Sequence, residues 1–241
     1  MLCASKNFDL IVFGTKFDNY ISIFNIETQK VTQFTHEISF INCATIIGGL
    51  YLLTGGGDSS VRVLKLPSLR VLHISSFHTE PITYVTGNAE VGLVVSLDRN
   101  FILTLENLHN GKLIRSIQME ESKSAPFIEV FKSGCLAYVK PDQDISKVYV
   151  YDQRGEKINE FEVKGKVVRT DKMQLQFSVD VLALGIEESK TIVLYDVLTC
   201  KVIQTIEDVI PEQFCTINSL QSVLAISGSI GSYFFIEMPK E

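Results

Sequence analysis

The chain has 241 residues, 22 Lys and Arg against 28 Asp and Glu for a formal charge of −6, and is 46% hydrophobic. That balance is globular rather than disordered; with no Lys/Arg block it offers phosphate backbones no electrostatic footprint, so nucleic acid is not an expected partner. No apolar stretch approaches the roughly 18–20 residues of a membrane-spanning helix, and Met1-Leu2-Cys3-Ala4-Ser5-Lys6 lacks a signal-peptide layout.

In chain order, the sequence is a series of short β-prone runs. The first unit offers residues 1–5 as all or part of a strand, then 10–15, then Ile21-Ser22-Ile23-Phe24-Asn25 leading to Lys30-Val31. The second offers 41–47, 50–55, 60–66 and 69–75, punctuated by Gly48-Gly49 and Gly55-Gly56-Gly57-Asp58, which suit tight reversals. The third offers 82–86, 93–96, 101–105 and 112–117. The fourth has 127–131 and 136–139, then Val148-Tyr149-Val150-Tyr151-Asp152 leading to Lys157-Ile158. The fifth has 174–178 and 181–185, then Ile192-Val193-Leu194-Tyr195-Asp196 leading to Lys201-Val202; the sixth has 214–217, 223–227 and 233–236. The runs alternate as half-buried strands do, and no window shows a helical period.

One basic residue recurs at the same place in five units. The intervals Lys30 to Arg70, Lys112, Lys157 and Lys201 are 40, 42, 45 and 44 residues. A period of about 40–45 residues with four short strands per unit is the signature of a propeller blade. The expected fold is therefore all-β: one β-propeller domain over residues 1–241, with about six visible four-stranded blades near 1–35, 36–77, 78–119, 120–164, 165–209 and 210–241. The first and last blades read as incomplete. A seven-bladed ring whose remainder lies upstream, in a chain that is the C-terminal part of a larger protein, is one expectation; a six-bladed ring closed in an unusual way is the other.

The segment His78-Thr79-Glu80-Pro81-Ile82, followed by Leu93-Val94-Val95-Ser96-Leu97-Asp98-Arg99-Asn100, resembles the WD-repeat pattern. The second unit repeats it with His36 and Leu53-Thr54-Gly55-Gly56-Gly57-Asp58, and the first supplies Gly14-Thr15-Lys16-Phe17-Asp18. The resemblance implies blade-turn structural roles for Asp18, His36, Asp58, His78 and Asp98. The closing Trp-Asp is degenerate: Phe24-Asn25, Leu64-Lys65, Thr104-Leu105, Tyr151-Asp152, Tyr195-Asp196 and Ile236-Glu237, in a chain with no Trp. The cross-blade network is therefore expected to shrink to His and Asp. The second and third units also resemble the C-terminal propeller of BEACH-domain proteins. That likeness implies a non-catalytic protein-interaction scaffold in vesicle trafficking, cytoplasmic and peripheral to vesicle membranes through other modules, with a large module upstream.

In the WD-repeat layout two sets of loops share one end of the ring. This implies a partner-binding rim for proteins or peptides at Lys16, Phe17, Glu80, Arg99, Asn100, Glu187 and Lys190, with Glu37, Gln143 and Glu188 beside them. Phe17, an aromatic among charges, is the expected anchor.

Catalytic and metal chemistry finds little footing. Gly55-Gly56-Gly57 lacks the Gly-Lys-Ser/Thr ending of a phosphate loop. Asp142-Gln143-Asp144 lacks the Gly and distal Glu of a calcium loop. His73 and His109 are isolated, and there is no nucleophile with its base. The five cysteines form no C-x-x-C pair and read as small buried apolar residues in a reducing compartment. No cofactor is expected. The alternatives are a propeller subunit of a coat or pore assembly, and a quinoprotein-like enzyme, suggested by residues 107–117 but lacking the docking Trp.

Overall fold

The computed structural model describes residues 2–4, 10–14, 19–35, 40–168, 180–207, 223–227 and 233–237. Among these residues every regular element is a strand. The first sheet comprises β1 (Leu2–Ala4), β2 (Leu10–Phe13), β3 (Tyr20–Asn25) and β4 (Lys30–Thr35). The second comprises β5 (Ile41–Ile47), β6 (Tyr51–Gly56), β7 (Val61–Lys65) and β8 (Arg70–Ser75). The third holds β9 (Ile82–Asn88), β10 (Leu93–Asp98), β11 (Ile102–Asn107) and β12 (Leu113–Gln118). The fourth holds β13 (Phe127–Val130), β14 (Leu136–Lys140), β15 (Ile145–Tyr151) and β16 (Lys157–Lys164). The fifth holds β17 (Val167–Val168), β18 (Val181–Ile186), β19 (Thr191–Asp196) and β20 (Lys201–Ile206). A pair, β21 (Val223–Ser227) with β22 (Tyr233–Glu237), follows. Each sheet is an antiparallel meander in which strands pair in chain order.

Two expectations change. The first unit is not short of a strand: β1 pairs with β2, Cys3 facing Val12. In the fifth sheet, β18 pairs with Val167–Val168, a strand the sequence pattern did not mark. The strands expected at 174–178 and 214–217 lie outside the described residues.

The chain divides into two compact units. One is Met1–Glu121 with Gln153–Glu156; the other is Ser122–Asp152 with Lys157–Glu241. Within the first unit, successive sheets bury their faces on one another. Leu10, Val12, Ile21 and Ile23 of the first sheet form one apolar cluster with Ile41, Ile46, Leu52 and Leu64 of the second. On the other side of the second sheet, Ile47, Leu53, Val61 and Val63 pack with Ile82, Val85 and Val94 of the third. The middle strands of the second sheet are thus covered on both faces, which explains why β7 is buried at four of five positions instead of alternating; β10 of the third sheet is buried at every position. The alternation read from the sequence fails there, and the last strand of each sheet is the exposed one. Gly55 marks how close the second and third sheets come: a Cβ there would stand 2.5 Å from Ile82 Cγ2 and 2.7 Å from Cys43 Sγ.

The turn into each last strand explains the basic spacing. Asn25 faces Lys30, Lys65 faces Arg70, and Asp196 faces Lys201, so each turn is four residues long. Asn25, Asn107 and Asp196 cap their turns by accepting backbone N–H bonds at 2.8–3.2 Å. A residue one or two places before the last strand takes positive φ in each of these sheets: Gln29 at 54°, Leu69 at 56° and Cys200 at 56° one place before, Gly111 at 64° and Gly155 at 77° two places before. Two of these turns also seat on a neighbouring strand. Gly111 lies against the His73 ring of β8, and Gly155 against Arg115 and Ile117 of β12.

Substitutions at this turn position should therefore have opposite signs. Gly111→Ala combines positive φ with a Cβ 2.7 Å from His73 Nδ1 and should cost about 2 kcal/mol. Gln29→Gly, at an exposed site, should stabilise by about 0.5–1 kcal/mol. Urea denaturation of both variants reads the two values.

Candidate functional site

The polar residues of the third sheet form one buried network. His78, on the segment leading to β9, places Nδ1 3.0 Å from Asp98 Oδ2 and Nε2 2.8 Å from Ser96 Oγ. Thr104, directly opposite Ser96 across β10 and β11, brings Oγ1 to 2.7 Å from Ser96 Oγ and 3.0 Å from His78 Nε2. Asp98 also closes the β10–β11 turn, since its Oδ1 accepts from Asn100 N and Ile102 N at 2.9 Å each. Burial lowers the His78 imidazole from its ordinary value, outweighing the Asp98 carboxylate that would raise it. His78 is therefore neutral at physiological pH.

This network is longer than the sequence led us to expect. Loss of Trp does not reduce it to His and Asp, because the hydroxyls of Ser96 and Thr104 complete it. The register also corrects the closing pair of this unit. Asn107 N bonds Lys112 O across a four-residue turn, as Lys65 pairs with Arg70, so Glu106-Asn107 closes β11 rather than Thr104-Leu105. Glu106 is 1% exposed, and Thr104 Oγ1 lies 3.3 Å from its Oε1. An acidic residue inside an otherwise apolar strand was the signal that could have singled it out.

In the second sheet the same turn is built on an ion pair. Asp58 Oδ2 accepts from Arg62 Nη2 at 2.8 Å, and Asp58 Oδ1 accepts from Ser60 Oγ at 2.6 Å. Arg62, buried on β7, also donates to Ser60 Oγ. Burial alone would raise the Asp58 carboxyl; the Arg62 bond and charge, with the Ser60 donors, overcome it and hold it well below the carboxylate range.

Bonds between strand entries and turns define one end of the first unit. Gly57 N donates to Phe40 O at 2.9 Å, and Arg99 N donates to Pro81 O at 3.1 Å. Asn42 Nδ2 donates to Ile82 O at 3.1 Å, so the entries of β5 and β9 lie side by side. Glu80, Arg99 and Asn100 therefore share this end, with Arg99 and Asn100 exposed. Two exposed aromatics flank the same entries, Phe40 at 56% and Phe77 at 42%. Neither was singled out from sequence as an anchor; an apolar residue in the loop ahead of a first strand was the available signal. Glu187 and Lys190 lie in the second unit, on the β18–β19 turn, where Glu187 pairs with Lys166 at 2.6 Å. Lys16, Phe17, Asp18 and His36 lie outside the described residues.

Among the described residues no group of three or more His, Cys, Asp or Glu is placed to hold a metal. Cys43, Cys135 and Cys200 are free thiols; of these three Cys135 is buried, and Cys43 and Cys200 are half-buried, contrary to expectation. Cys200 is drawn out by its place on a positive-φ turn.

No protein-family model matches the chain, and no curated protein matches it. The crystal structure of the computationally designed Ika8 protein aligns with it at a TM-score of 0.70 and 17% sequence identity, over 98% of this chain and 70% of that one. At that identity the likeness is one of fold.

The Asp58–Arg62 pair carries a pH signature. A depressed carboxyl stabilises the fold fully above its unfolded value of 3.8 and loses that contribution as pH falls toward the folded value. Asp58→Ala should cost about 2–3 kcal/mol at pH 7, because Arg62 is left buried and unpaired. The gap to the wild type should narrow when urea titrations are repeated below pH 3.8.

Proposed function

We propose that this chain is a non-catalytic β-propeller of the WD-repeat type that binds proteins or peptides at a loop face. On this reading it serves a trafficking scaffold of the BEACH kind, in the cytoplasm and peripheral to vesicle membranes through other modules. The observation that carries the reading is the loop end of the first unit. Phe40 and Phe77 stand out there beside Arg99, Asn100 and Glu80, on loops tied by backbone bonds to buried strands. Aromatics and Arg on a rigid frame are the usual anchors of protein recognition, and loops on such frames carry binding. Consecutive four-stranded meanders, packed face to face among the first three sheets, support the blades of this reading. The His78–Ser96–Asp98 linkage supplies the cross-blade bonds the WD-repeat resemblance calls for.

Affinity capture from cytosol, with cross-linking and mass spectrometry, tests the rim. Proteins retained by the wild type should be recovered at least about tenfold less by Phe40→Ser/Phe77→Ser and by Arg99→Glu, with melting temperatures unchanged. Undiminished recovery by these variants would place the docking surface elsewhere.

A further inference from the structure

Asp98 receives three donors, from His78, Asn100 and Ile102, which is the setting of a carboxylate. His78 Nδ1 therefore carries a hydrogen, and Nε2 of the neutral ring is a lone pair. Ser96 and Thr104 bring two hydroxyl protons between them. One lies in the 2.7 Å contact between their oxygens, and the other serves His78 Nε2. None remains for the 3.3 Å contact between Thr104 Oγ1 and Glu106 Oε1. Without a proton that contact would set lone pair against lone pair.

We infer that Glu106 is held in the fold as a neutral carboxylic acid that donates to Thr104, completing a one-way proton chain from Glu106 through Thr104, Ser96 and His78 to Asp98. The surroundings favour this state. Glu106 is 1% exposed, and its Oε2 has no hydrogen-bond partner, a costly place for a full negative charge. Burial raises the Glu106 carboxyl above its ordinary value, against the smaller opposing pulls of Ser75, Thr104 and His73. From β8, Ser75 and His73 face it. His73 Nε2 lies 2.8 Å from Leu108 O, an acceptor, which places an N–H there, and its Nδ1 makes no hydrogen bond, to Glu106 or to any other group. Arg62, on the neighbouring β7, is taken by Asp58. From the β9 and β10 side the facing groups are those of the chain itself.

Two rival states hold the same number of protons. With the proton on His78, two further charges are buried; with it on Asp98 and the chain reversed, the charge leaves a carboxylate that accepts from Asn100 N and Ile102 N for one whose Oε2 has no partner. Infrared and NMR spectroscopy on the full chain separate these states. The inference expects a protonated-carboxyl band at pH 7 that disappears in Glu106→Gln, with His78 and His73 neutral by their nitrogen shifts. Absence of that band, or a doubly protonated His78 or His73 at pH 7, would overturn it.

Stability gives an independent readout. The Gln amide can donate to Thr104 as the acid does, so below pH 4.5, where the unfolded carboxyl is protonated too, Glu106→Gln should keep its folding constant within about threefold of wild type, whereas Glu106→Leu should lose tenfold or more. A raised carboxyl stabilises the fold below its unfolded value of 4.5 and loses that advantage as pH rises toward the folded value. Wild type should therefore weaken relative to Glu106→Gln above pH 4.5, by up to about tenfold in folding constant per pH unit. His78 has the opposite slope, losing stability as pH falls below 6.5, but is present in both proteins and cancels in the comparison. Equal destabilisation by Gln and Leu, or a pH-independent gap between wild type and Glu106→Gln, would also overturn the inference. Should Glu106→Leu not fold, the spectroscopic comparison of wild type with Glu106→Gln still decides.

Discussion

The structure depends on one constraint: the middle strands of the second and third sheets are covered on both faces, so no polar side chain there can turn to water. Most positions meet the constraint by being apolar, as in the buried runs Val61–Lys65 and Leu93–Asp98. Most of the polar exceptions are paired, Glu106 Oε2 being left without a partner. Arg62 is matched by Asp58 and Ser60, and His78 by Asp98, Ser96 and Thr104. A partly matched network in such a place is worse than an apolar one. This is why the identity and protonation of each member matter.

The same covering sets the architecture's repeat. A sheet with two buried faces needs a neighbour on each side, as the second sheet has in the first and third. The last strand of each of the first three sheets is the most exposed. The turn leading into it must reverse within four residues and seat against the sheet beside it, which fixes both its left-handed residue and its length. His73 shows the seating directly: its ring receives Gly111 on one side and holds Leu108 O through Nε2.

Rigid, buried strands also determine what the loop end can present. The backbone bonds Gly57 to Phe40 and Arg99 to Pro81 tie each strand entry to the turn beside it. Phe40, Phe77 and Arg99 are therefore held out from a fixed base, with little freedom to lose on binding.

Much of this was legible in the residues. The 40–45-residue recurrence of one basic residue located the turns, because turn length is a local property set by Asn25, Asn107 and Asp196 and by one positive-φ residue. Strand positions followed from β-branched runs between those turns. The Asp of each tight turn was visible for the same local reason. What the sequence could not show depended on contacts between strands far apart in the chain. The five-residue network needs the 26-residue approach of Thr104 to His78, and its register moved the closing pair to Glu106-Asn107. Whether a strand was covered on one face or two depended on the neighbouring sheet, so alternation was expected where continuous burial occurs. Phe40 and Phe77 read as ordinary apolar residues until packing left them exposed. Local chemistry determined the turns and strands; burial, which only the assembled sheets create, decided which polar groups must pair and which apolar ones are left exposed.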